Sequence, residues 1–494
     1  MKSYFTKSII GLSTLVMVFL LISCQQKKEE KKKPNILFLF ADDQRSGTIN
    51  ALGNQEIITP NLDKLANEGV SFTNTYIMGG SSSAVCAPSR AMLMTGRHLY
   101  GIEKQGWQAN ISEVNETIPE TFRRAGYVTF GTGKNHNGKP VFARGFSDGD
   151  EIFFGGMSDH WNVPVYHFDS TGKYDKKIPF IRNPGVNNKV EYIPNSDHKI
   201  QGKHSSELFA DAAIGFLKRH DNKKPFFAYI PFTAPHDPRS MPKEYEQMYD
   251  TASIAIPPNF LPEHPWDFGE FKIRDEVLAG FPRTKPEVKT HLRDYYAMIT
   301  HMDAQIGRII RALKESGEYE NTIIIFSSDN GLAIGQHGLF GKQNLYEHSI
   351  GVPFIISGPG LPANERREAF CYLFDVFPTL CELVNIESPE TVQGSSFTAS
   401  IKDANRTHRK NMTYGYKEYM RAYRKKDFKL IEYFVNGERN SQFFNLEQDA
   451  YEKNNLFDKD DYSSNYFEMK NEMIQEMKVL NDTNQIYKQL LKEI

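Results

Sequence analysis

The fold is decided by residues 34–43, Pro34-Asn35-Ile36-Leu37-Phe38-Leu39-Phe40-Ala41-Asp42-Asp43. The run of apolar residues does not alternate with polar ones, which is typical of a strand that is buried on both faces of a parallel sheet. Two acidic residues follow at the point where the strand ends. Because open α/β sheets bind ligands at the carboxyl ends of their strands, this stretch predicts a central strand that leads into a functional site.

Three more segments have the same apolar character, at residues 225–230, 322–326 and 352–356. The first runs into Thr233-Ala234-Pro235-His236, and the second runs into Ser327-Ser328-Asp329-Asn330-Gly331. Amphipathic helical patterns lie between the strands, at residues 59–66, 204–220 and 293–316. This alternation predicts an α/β fold with a large, mostly parallel sheet sandwiched by helices.

The remaining segments are less regular. Residues 137–201 and 251–286 are long, aromatic and poor in periodicity, and we expect ordered insertions that face a substrate. Beyond residue 386, short candidate strands at residues 412–416, 428–433 and 442–446 precede a helix at residues 464–480. We therefore expect a catalytic domain over residues 34–386. A small α+β subdomain, an antiparallel sheet plus a helix, is expected over residues 387–494.

The N-terminus predicts export. Residues 1–23 combine lysines with an apolar run that is too short for a good membrane span, as in a signal peptide. The ending Leu21-Ile22-Ser23-Cys24 resembles the lipobox of bacterial lipoproteins, which implies lipidation of Cys24. Residues 24–33 would then be a flexible, lipid-anchored tether. The prediction is a membrane-anchored lipoprotein in the periplasm or at the cell surface, and the alternative is a plain signal peptide or membrane anchor.

The net charge bears on the possible partners, and the cysteine content bears on lipidation and disulfide bonds. A net charge of -2 offers no field that would attract nucleic acid, so no nucleic-acid partner is expected. There are four cysteines, of which Cys24 is assigned to lipid. Cys371 and Cys381 lie among apolar residues, where they could pair or remain small buried thiols; we favour the thiols.

Two groups of residues carry chemistry. Cys86-Ala87-Pro88-Ser89-Arg90 places a cysteine at the head of a predicted helix, where it is either a nucleophile of low pKa or a small buried residue. Asp42 and Asp43, with Asp329 and Asn330, bring four oxygen-bearing side chains to two strand ends. Such a set suits a hard cation, calcium or magnesium, better than zinc.

These motifs together resemble the type I, formylglycine-dependent sulfatases of the alkaline phosphatase superfamily, among them bacterial polysaccharide sulfatases. The resemblance extends over nearly the whole chain after the tether. The motifs that carry it follow one another in the family's order: Cys86-Ala87-Pro88-Ser89-Arg90, Thr95-Gly96-Arg97, Gly133-Lys134-x-His136, Pro235-His236-x-Pro238, Ser328-Asp329-Asn330-Gly331, Gly341-Lys342, Tyr346-Glu347-His348 and Asn445-Leu446-x-x-Asp449. It implies an alkaline phosphatase-like fold and the hydrolysis of sulfate esters.

The resemblance also implies a modified nucleophile and a metal. A formylglycine-generating or radical maturation enzyme would oxidise Cys86 to formylglycine. One hydroxyl of the hydrated aldehyde attacks sulfur and the other later collapses to the carbonyl, which expels sulfate. One Ca2+ per chain would be held by four side chains and the modified Cys86, and would act as a Lewis acid. Those four side chains are Asp42, Asp43, Asp329 and Asn330.

Further roles follow from the same motifs. Lys134 and Lys342 match the lysines that bind sulfate, and Arg90 matches the arginine that steadies the formylglycine. His136 would orient a formylglycine hydroxyl, and His236 would be the general acid for the leaving alcohol. Asp329 is a metal ligand and also a candidate base.

The substrate is predicted less directly. Export and aromatic insertions suggest a sulfated polysaccharide or its oligosaccharides, of the ulvan, carrageenan or glycosaminoglycan type. Trp161 could stack on a sugar and His160 could contact a hydroxyl or carboxylate, although an aromatic residue packed beneath a long loop is an equal alternative. The departures from the family pattern, Asn135 and Gly351, would reshape the substrate pocket without removing a catalytic group.

Three rival functions remain at this point. A phosphonate or phosphodiester hydrolase of the same superfamily could share the nucleophile. A catalytically inactive, glycan-binding relative would not need the intact catalytic positions. A hydrolase that uses Cys86 and His236 directly would leave the acidic residues without a role.

Overall fold

The computed structural model describes residues 32–102, 110–183, 185–193 and 196–492. From Pro34 onward the chain forms one compact unit. The predicted signal peptide, Cys24 and most of the predicted tether lie outside the described residues, so these assignments stay predictions. Within the described ranges, none of the helices has both the length and the apolar character needed to cross a membrane.

Seventeen strands form the sheets of the described chain. In chain order they are β1 (Asn35–Ala41), β2 (Val70–Phe72), β3 (Thr75–Tyr76), β4 (Gly79–Gly80), β5 (Val128–Lys134), β6 (Asp148–Phe153), β7 (Ile178–Ile181), β8 (Val190–Ile193), β9 (Phe226–Pro231), β10 (Thr322–Ser328), β11 (Phe354–Ser357), β12 (Glu365–Arg367), β13 (Cys371–Tyr372), β14 (Asn411–Tyr416), β15 (Met420–Lys425), β16 (Phe428–Val435) and β17 (Glu438–Asn445).

The α-helices of the described chain surround these sheets. In chain order they are α1 (Pro60–Asn67), α2 (Cys86–Thr95), α3 (Ile118–Arg124), α4 (Lys139–Gly145), α5 (Ser205–Arg219), α6 (Lys243–Glu246), α7 (Lys285–Glu315), α8 (Glu347–Ile350), α9 (Val376–Leu383), α10 (Thr398–Lys402), α11 (Ser463–Val479) and α12 (Gln485–Leu491).

The largest sheet has eight strands in the order β12-β2-β11-β10-β1-β9-β5-β6. Strands β10, β1, β9, β5 and β6 are mutually parallel, as predicted. Strand β11 runs antiparallel to both of its neighbours. The link from β10 to β11 contains only the four-residue helix α8. Parallel neighbours are usually joined through a full crossover helix, and the link over residues 329–353 contains none.

Helices cover both faces of this sheet. The side chains of β1 therefore alternate between two cores, one on each face. Ile36, Phe38 and Phe40 point into a core shared with helices α2 and α3. Leu37 and Leu39 point into a second core, shared with α1, α5 and α7. The uninterrupted apolar run that opened the sequence analysis is therefore explained by burial of β1 on both sides.

The C-terminal segment forms the predicted smaller antiparallel sheet plus a helix. Strands β14 to β17 pair in succession, and α11 packs on them through Tyr466, Met469 and Met473. The sheet also includes β4, which comes from the first hundred residues and pairs parallel with β14. Gly79 must be glycine at this contact, since its φ is +107° and an added Cβ would lie 2.0 Å from the carbonyl oxygen of Gly415.

The structure contains more elements than were predicted, and three differences illustrate why. Helix α7 begins at Lys285, eight residues before the predicted start, because its first two turns are largely polar and show no clear apolar stripe. Strand β5 was not predicted, since two glycines interrupt its sequence. Strand β15 was not predicted either, since arginine and lysine dominate it. Propensity and periodicity give little signal for such strands.

Candidate active site

The polar ends of the central strands meet at one edge of the large sheet. Ala41 of β1 lies opposite Ser328 of β10, so the residues that follow each of them become neighbours. Strand β5 ends at Lys134 on the same edge, and β9 leads into the loop that carries His236. Helix α2 begins at Cys86 and brings its first turn to this edge.

Cys86 lies beside a histidine and a lysine. Its Sγ is 3.4 Å from Nδ1 of His136 and 3.5 Å from Nζ of Lys134. The side chain is only 3% exposed, and burial raises the pKa of the thiol although Lys134 and Lys342 act in the opposite sense. A thiol with a raised pKa is a poor nucleophile, because the thiolate is the reactive form. The direct cysteine hydrolase considered above is therefore disfavoured.

Arg90 ties helix α2 to the strand ends. Its Nε donates to Oδ2 of Asp329 over 2.8 Å, and one terminal nitrogen donates to the carbonyl oxygen of Lys134 over 3.0 Å. The guanidinium also lies over the ring of Phe40, 5.1 Å from the centroid. Because Arg90 sits one helical turn after Cys86, these contacts fix the position of the Sγ atom.

Three carboxylates and an amide face these cations. Lys134 donates to Oδ2 of Asp42 over 2.6 Å, and Lys342 donates to both oxygens of Asp43 over 2.6 and 2.9 Å. Burial alone would raise the pKa of Asp43, but Lys342 and Lys134 outweigh it, so the pKa is lowered. The pKa of Asp42 is instead raised, by burial and by the nearby charge of Asp329.

This oxygen-rich group fits a hard divalent cation. Oδ1 of Asp42 and Oδ1 of Asn330 are buried and have no hydrogen-bond partner. Potential ligand atoms of Asp42, Asp329 and Cys86 lie within 4.8 Å of one another. Buried acceptors without partners cost free energy, and a bound cation would remove that cost. An all-oxygen set of protein side chains favours calcium or magnesium over zinc.

The two lysines stay charged and the two histidines stay neutral. Burial alone would lower the pKa of Lys342, yet Asp43 outweighs it and the pKa is raised. Burial and the charge of Lys342 hold the pKa of His236 well below its usual range. Nδ1 of His236 is 2.8 Å from the carbonyl oxygen of Asp237, to which it must donate. Nε2 of His236 therefore carries the lone pair, 3.6 Å from Oδ2 of Asp43.

His136 is held in the same way. Burial and the neighbouring charge of Lys134 keep its pKa well below the usual value. Its Nδ1 is the atom that approaches Cys86. Because the ring is neutral, it offers one donor and one acceptor to whatever group occupies position 86.

His160 and Trp161 lie elsewhere, and neither lines the cavity in front of Cys86. His160 is fully buried, with Nδ1 2.7 Å from Oγ of Ser205 and Nε2 2.9 Å from the carbonyl oxygen of His236. Trp161 packs edge-on against His204, with ring centroids 5.2 Å apart. The predicted sugar contacts therefore gain no support from the geometry. His160 instead holds the loop that carries His236.

Two buried residues that the sequence analysis missed position the strand-end loops. The hydroxyl of Tyr295, on α7, donates to the carbonyl oxygen of Asp43 over 2.7 Å. Glu276 accepts from the backbone nitrogens of Phe340 and Gly341, at 3.0 and 2.8 Å, and so anchors the loop before Lys342. Burial raises the pKa of Glu276 to about 7. Neither residue belongs to a recognisable motif, so the sequence carried no signal for them.

A cavity of about 490 Å³ opens in front of Cys86. His136, His236 and Lys342 form its inner wall. The outer wall comes from Gly156 and Met157 of one predicted insertion and from residues 273–275 of the other. Both irregular segments therefore reach the site, as expected. Arg274 forms ion pairs with Asp237 and Asp275 there, and Asp275 accepts from Gln343, beside Lys342, over 2.7 Å.

Comparison with known proteins gives a consistent result. The sulfatase family matches residues 34–386, and the C-terminal family of N-sulphoglucosamine sulphohydrolase matches residues 335–479. The N-acetylglucosamine-6-O-sulfatase of Bacteroides thetaiotaomicron is 27% identical, over 95% of this chain and 89% of the relative. The arylsulfatase of Clostridium perfringens is 31% identical, over 90% of this chain and 94% of the relative.

Solved structures agree on the fold. A protein in complex with its substrate D-glucosamine-2-N,6-O-disulfate has a TM-score of 0.70 and 23% identity, covering 92% of this chain and 99% of its own. The phosphonate monoester hydrolase of Agrobacterium radiobacter also has a TM-score of 0.70, with 21% identity, covering 91% of this chain and 96% of its own. Fold alone thus does not separate the two chemistries. The sulfatase match over most of the sequence does: this chain belongs to the sulfatase family and is a sulfuric ester hydrolase.

Proposed function

We propose that this sulfatase removes sulfate from a sulfated polysaccharide or its oligosaccharides, of the ulvan, carrageenan or glycosaminoglycan type, with formylglycine at position 86 and one calcium ion. The proposal for the substrate class rests on relatives that act on sulfated amino sugars. A cavity of about 490 Å³ also lies in the usual range for small-ligand pockets and can hold a sulfated sugar.

One observation carries the mechanism: Cys86 opens a helix at the point where two buried lysines and three buried carboxylates meet. The thiol itself is protonated and poorly reactive here. Formylglycine at this position would supply a hydrated aldehyde, which offers a hydroxyl for attack and a second one for product release. Arg90 keeps that side chain in place through Asp329 and the carbonyl oxygen of Lys134.

Lys134 and Lys342 bind the sulfate group and neutralise the charge that develops on its oxygens. Both are buried and held by carboxylates at 2.6 Å, so they are oriented before the substrate arrives. Pre-oriented charges in a site of low dielectric stabilise a transition state more than mobile ones do. His136 would orient the hydroxyl at position 86 through its Nδ1, which approaches that side chain.

His236 supplies the proton to the leaving alcohol. Its Nδ1 proton is committed to the carbonyl oxygen of Asp237, so Nε2 is the atom that must take up and deliver a proton on the cavity side. Burial and the charge of Lys342 lower the pKa of this imidazole in the free protein. A bound sulfate anion opposes the lysine charges, and so it favours protonation of Nε2 when substrate is present.

The calcium ion would be held by Asp42, Asp43, Asp329 and Asn330, and when bound it would polarise the sulfate and lower the pKa of the attacking hydroxyl. Support comes from the two buried oxygens without partners. Dialysis against a chelator should abolish activity and lower the melting temperature, and calcium should restore both. If magnesium restores both better than calcium does, the metal assignment is wrong.

Mass spectrometry of the peptide that contains Cys86 tests the nucleophile directly. After co-expression with a maturation enzyme, we expect loss of the thiol sulfur and gain of an aldehyde that reacts with a hydrazide probe. Protein without the maturation enzyme should keep the thiol and remain inactive. An unmodified Cys86 in fully active protein would contradict the mechanism.

A phosphonate hydrolase is the rival that needs a substrate test. The matured enzyme should hydrolyse an aryl sulfate faster than the aryl phosphonate monoester of the same leaving group. Because the leaving group is identical, the comparison isolates recognition of the anion. Preference for the phosphonate would reverse the assignment.

The chain is further proposed to be an exported lipoprotein anchored through Cys24. Metabolic labelling with a fatty acid should label the full-length protein and spare the Cys24→Ala variant. Cell fractionation should then move the variant from the membrane to a soluble exported fraction. Labelling that survives this substitution would contradict the anchor.

A further inference from the structure

A basic arm extends from one of the two insertions. The arm consists of residues 171–183, 185–193 and 196–203, and its centre is the antiparallel pair of β7 and β8. A two-stranded ribbon by itself is only marginally stable in water. The arm nevertheless exposes both apolar and charged side chains, which calls for a reason outside the fold.

One face of the ribbon is apolar and open to solvent. Pro179 pairs with Tyr192 and Ile181 pairs with Val190, so these four side chains share a face. All four are exposed, with 58% of Tyr192 and 51% of Val190 accessible. The apolar C–H face of a pyranose ring packs on such a strip, and the tyrosine supplies an aromatic platform for it.

Lysines surround this strip. Residues 171–203 contain seven Lys or Arg and three Asp or Glu, whereas the whole chain has a net charge of -2. Five of the lysines are exposed and form no ion pair with another described residue: Lys173, Lys176, Lys177, Lys189 and Lys199. The arm is therefore a locally positive surface on a protein that is otherwise slightly acidic, and it complements a polyanion.

The base of the arm lies beside the catalytic edge, the end of the large sheet at which the residues after β1 and β10 meet Lys134 of β5. The backbone nitrogen of Gly202 donates to the carbonyl oxygen of Trp161 over 2.9 Å, and that of Ser205 donates to the carbonyl oxygen of His160 over 2.7 Å. His160 in turn bonds the carbonyl oxygen of His236. A polymer held by the arm would therefore start next to the cavity that contains Cys86.

We propose that the arm is a binding surface for the sulfated polysaccharide chain, outside the cavity in which one sugar is desulfated. Sulfate groups pair with the five lysines, and sugar rings pack on the strip of Tyr192, Val190, Ile181 and Pro179. This inference rests on the proposed function, since it names the part of the substrate that the cavity does not hold.

An acidic membrane would attract the same side chains, but the position of the arm beside the catalytic edge favours the polymer. The arm starts from the catalytic edge, beside the loop of His236. The arm thus belongs to the substrate side of the molecule.

The test compares two variants of the matured, full-length enzyme. The arm variant changes Lys173, Lys176, Lys177, Lys189 and Lys199 to Gln. The control variant changes five exposed lysines of the C-terminal segment to Gln: Lys402, Lys410, Lys453, Lys459 and Lys478. Both lose the same formal charge. The probes are immobilised dextran sulfate, unsulfated dextran, and vesicles of neutral and anionic phospholipid.

The arm variant should bind dextran sulfate about tenfold more weakly in dilute buffer, and the difference should shrink at high salt, because exposed charges are screened. The control variant should bind within about twofold of the parent, and kcat/KM for a small aryl sulfate should stay within about twofold for both. Tyr192→Ala should weaken binding of dextran sulfate with no change in its salt dependence.

Two results would overturn the proposal. Equal loss of dextran sulfate binding in the arm and control variants would show that net charge alone is responsible. Loss of binding to anionic vesicles with unchanged binding to dextran sulfate would assign the arm to a membrane. Binding is measured without turnover, so the two proposals can fail separately. An enzyme that desulfates no sugar yet binds dextran sulfate through the arm would refute the proposed function and support the proposal for the arm.

Discussion

The catalytic edge and the basic arm use the same residue types in opposite ways. At the catalytic edge, Lys134 and Lys342 are buried and each is paired with a carboxylate at 2.6 Å. On the arm, five lysines are exposed and form no ion pair with another described residue. Buried pairs act strongly over a few ångströms and resist salt, whereas exposed charges act weakly, at longer range and under screening. On the two proposals above, the buried lysines would hold one sulfate rigidly and the arm would hold a long polyanion loosely.

The largest effect is expected from removing the group at the centre of the catalytic edge. Cys86→Ala should lower kcat on an aryl sulfate by about 10⁴-fold or more, as the loss of a covalent nucleophile does in other hydrolases. The substitution removes little volume from the first turn of α2, so the far-ultraviolet circular dichroism spectrum should be unchanged. Residual activity above one hundredth of the parent would contradict a covalent role for this position.

Lys342→Ala should have the next largest effect. It compares a buried lysine with exposed ones. We expect kcat/KM to fall by about 10²- to 10³-fold, the usual effect of losing one pre-oriented group that stabilises the transition state. Lys402→Ala, an exposed lysine, is the matched control and should change kcat/KM by less than about twofold. Similar losses from both substitutions would remove the distinction between buried and exposed charge.

A positioning role for His160 predicts a smaller effect. His160→Ala removes the hydrogen bond to the carbonyl oxygen of His236 without touching the cavity. We expect kcat to fall about tenfold, the pH profile of kcat to shift and KM to change little, because a general acid is misplaced rather than lost. His160→Gln, which can still donate, should recover part of the rate. A change in KM alone would instead indicate the sugar contact that the sequence suggested.

The smallest expected effect concerns stability in acid. Burial lowers the pKa of His264 to about 4 and that of His337 to about 3. The unfolded chain binds these protons below pH 6.5 while the folded protein does not, so stability falls as the pH drops through that window. Each histidine should cost about 1 kcal/mol by about pH 5.5. Glu276, with a pKa raised to about 7, acts in the opposite direction.

Urea unfolding of the parent and of the His264→Gln variant, at neutral and acidic pH, measures how much His264 contributes to the loss of stability in acid. Gln keeps a polar side chain that can reach the two present partners of His264, the carbonyl oxygen of Trp266 and the hydroxyl of Tyr346. The variant should lose less stability than the parent on acidification. A parallel loss in both proteins would show that His264 is not one of the groups responsible.

The central sheet and the polar strand ends could be predicted because short-range patterns encode them. A run such as residues 36–40 is long enough to identify a buried strand, and the side chains directly after it must lie at its carboxyl end. By contrast, β5 has two glycines and little periodicity, although it delivers Lys134. The motif at Lys134 was therefore recognised without the strand that positions it.

The supporting residues could not be predicted because long-range packing selects them. Tyr295 reaches Asp43 from a position 252 residues later in the chain. His160 was predicted to contact substrate, yet nothing local distinguishes a histidine that contacts substrate from one that holds a backbone carbonyl. Sequence patterns report what a residue can do, whereas only the fold decides which partner it meets.

The pairing of β4 with β14 has a consequence for the order of events during biosynthesis. Gly79 and Gly80 lead directly into the segment that carries Cys86, and their partner strand lies more than three hundred residues later. Until most of the chain has been synthesised, β4 lacks the partner strand that it has in the folded protein, and the cysteine that follows it would be accessible to a maturation enzyme. Once the late strand arrives, the thiol is enclosed. The oxidation of Cys86 that we propose would therefore have to take place before folding is complete.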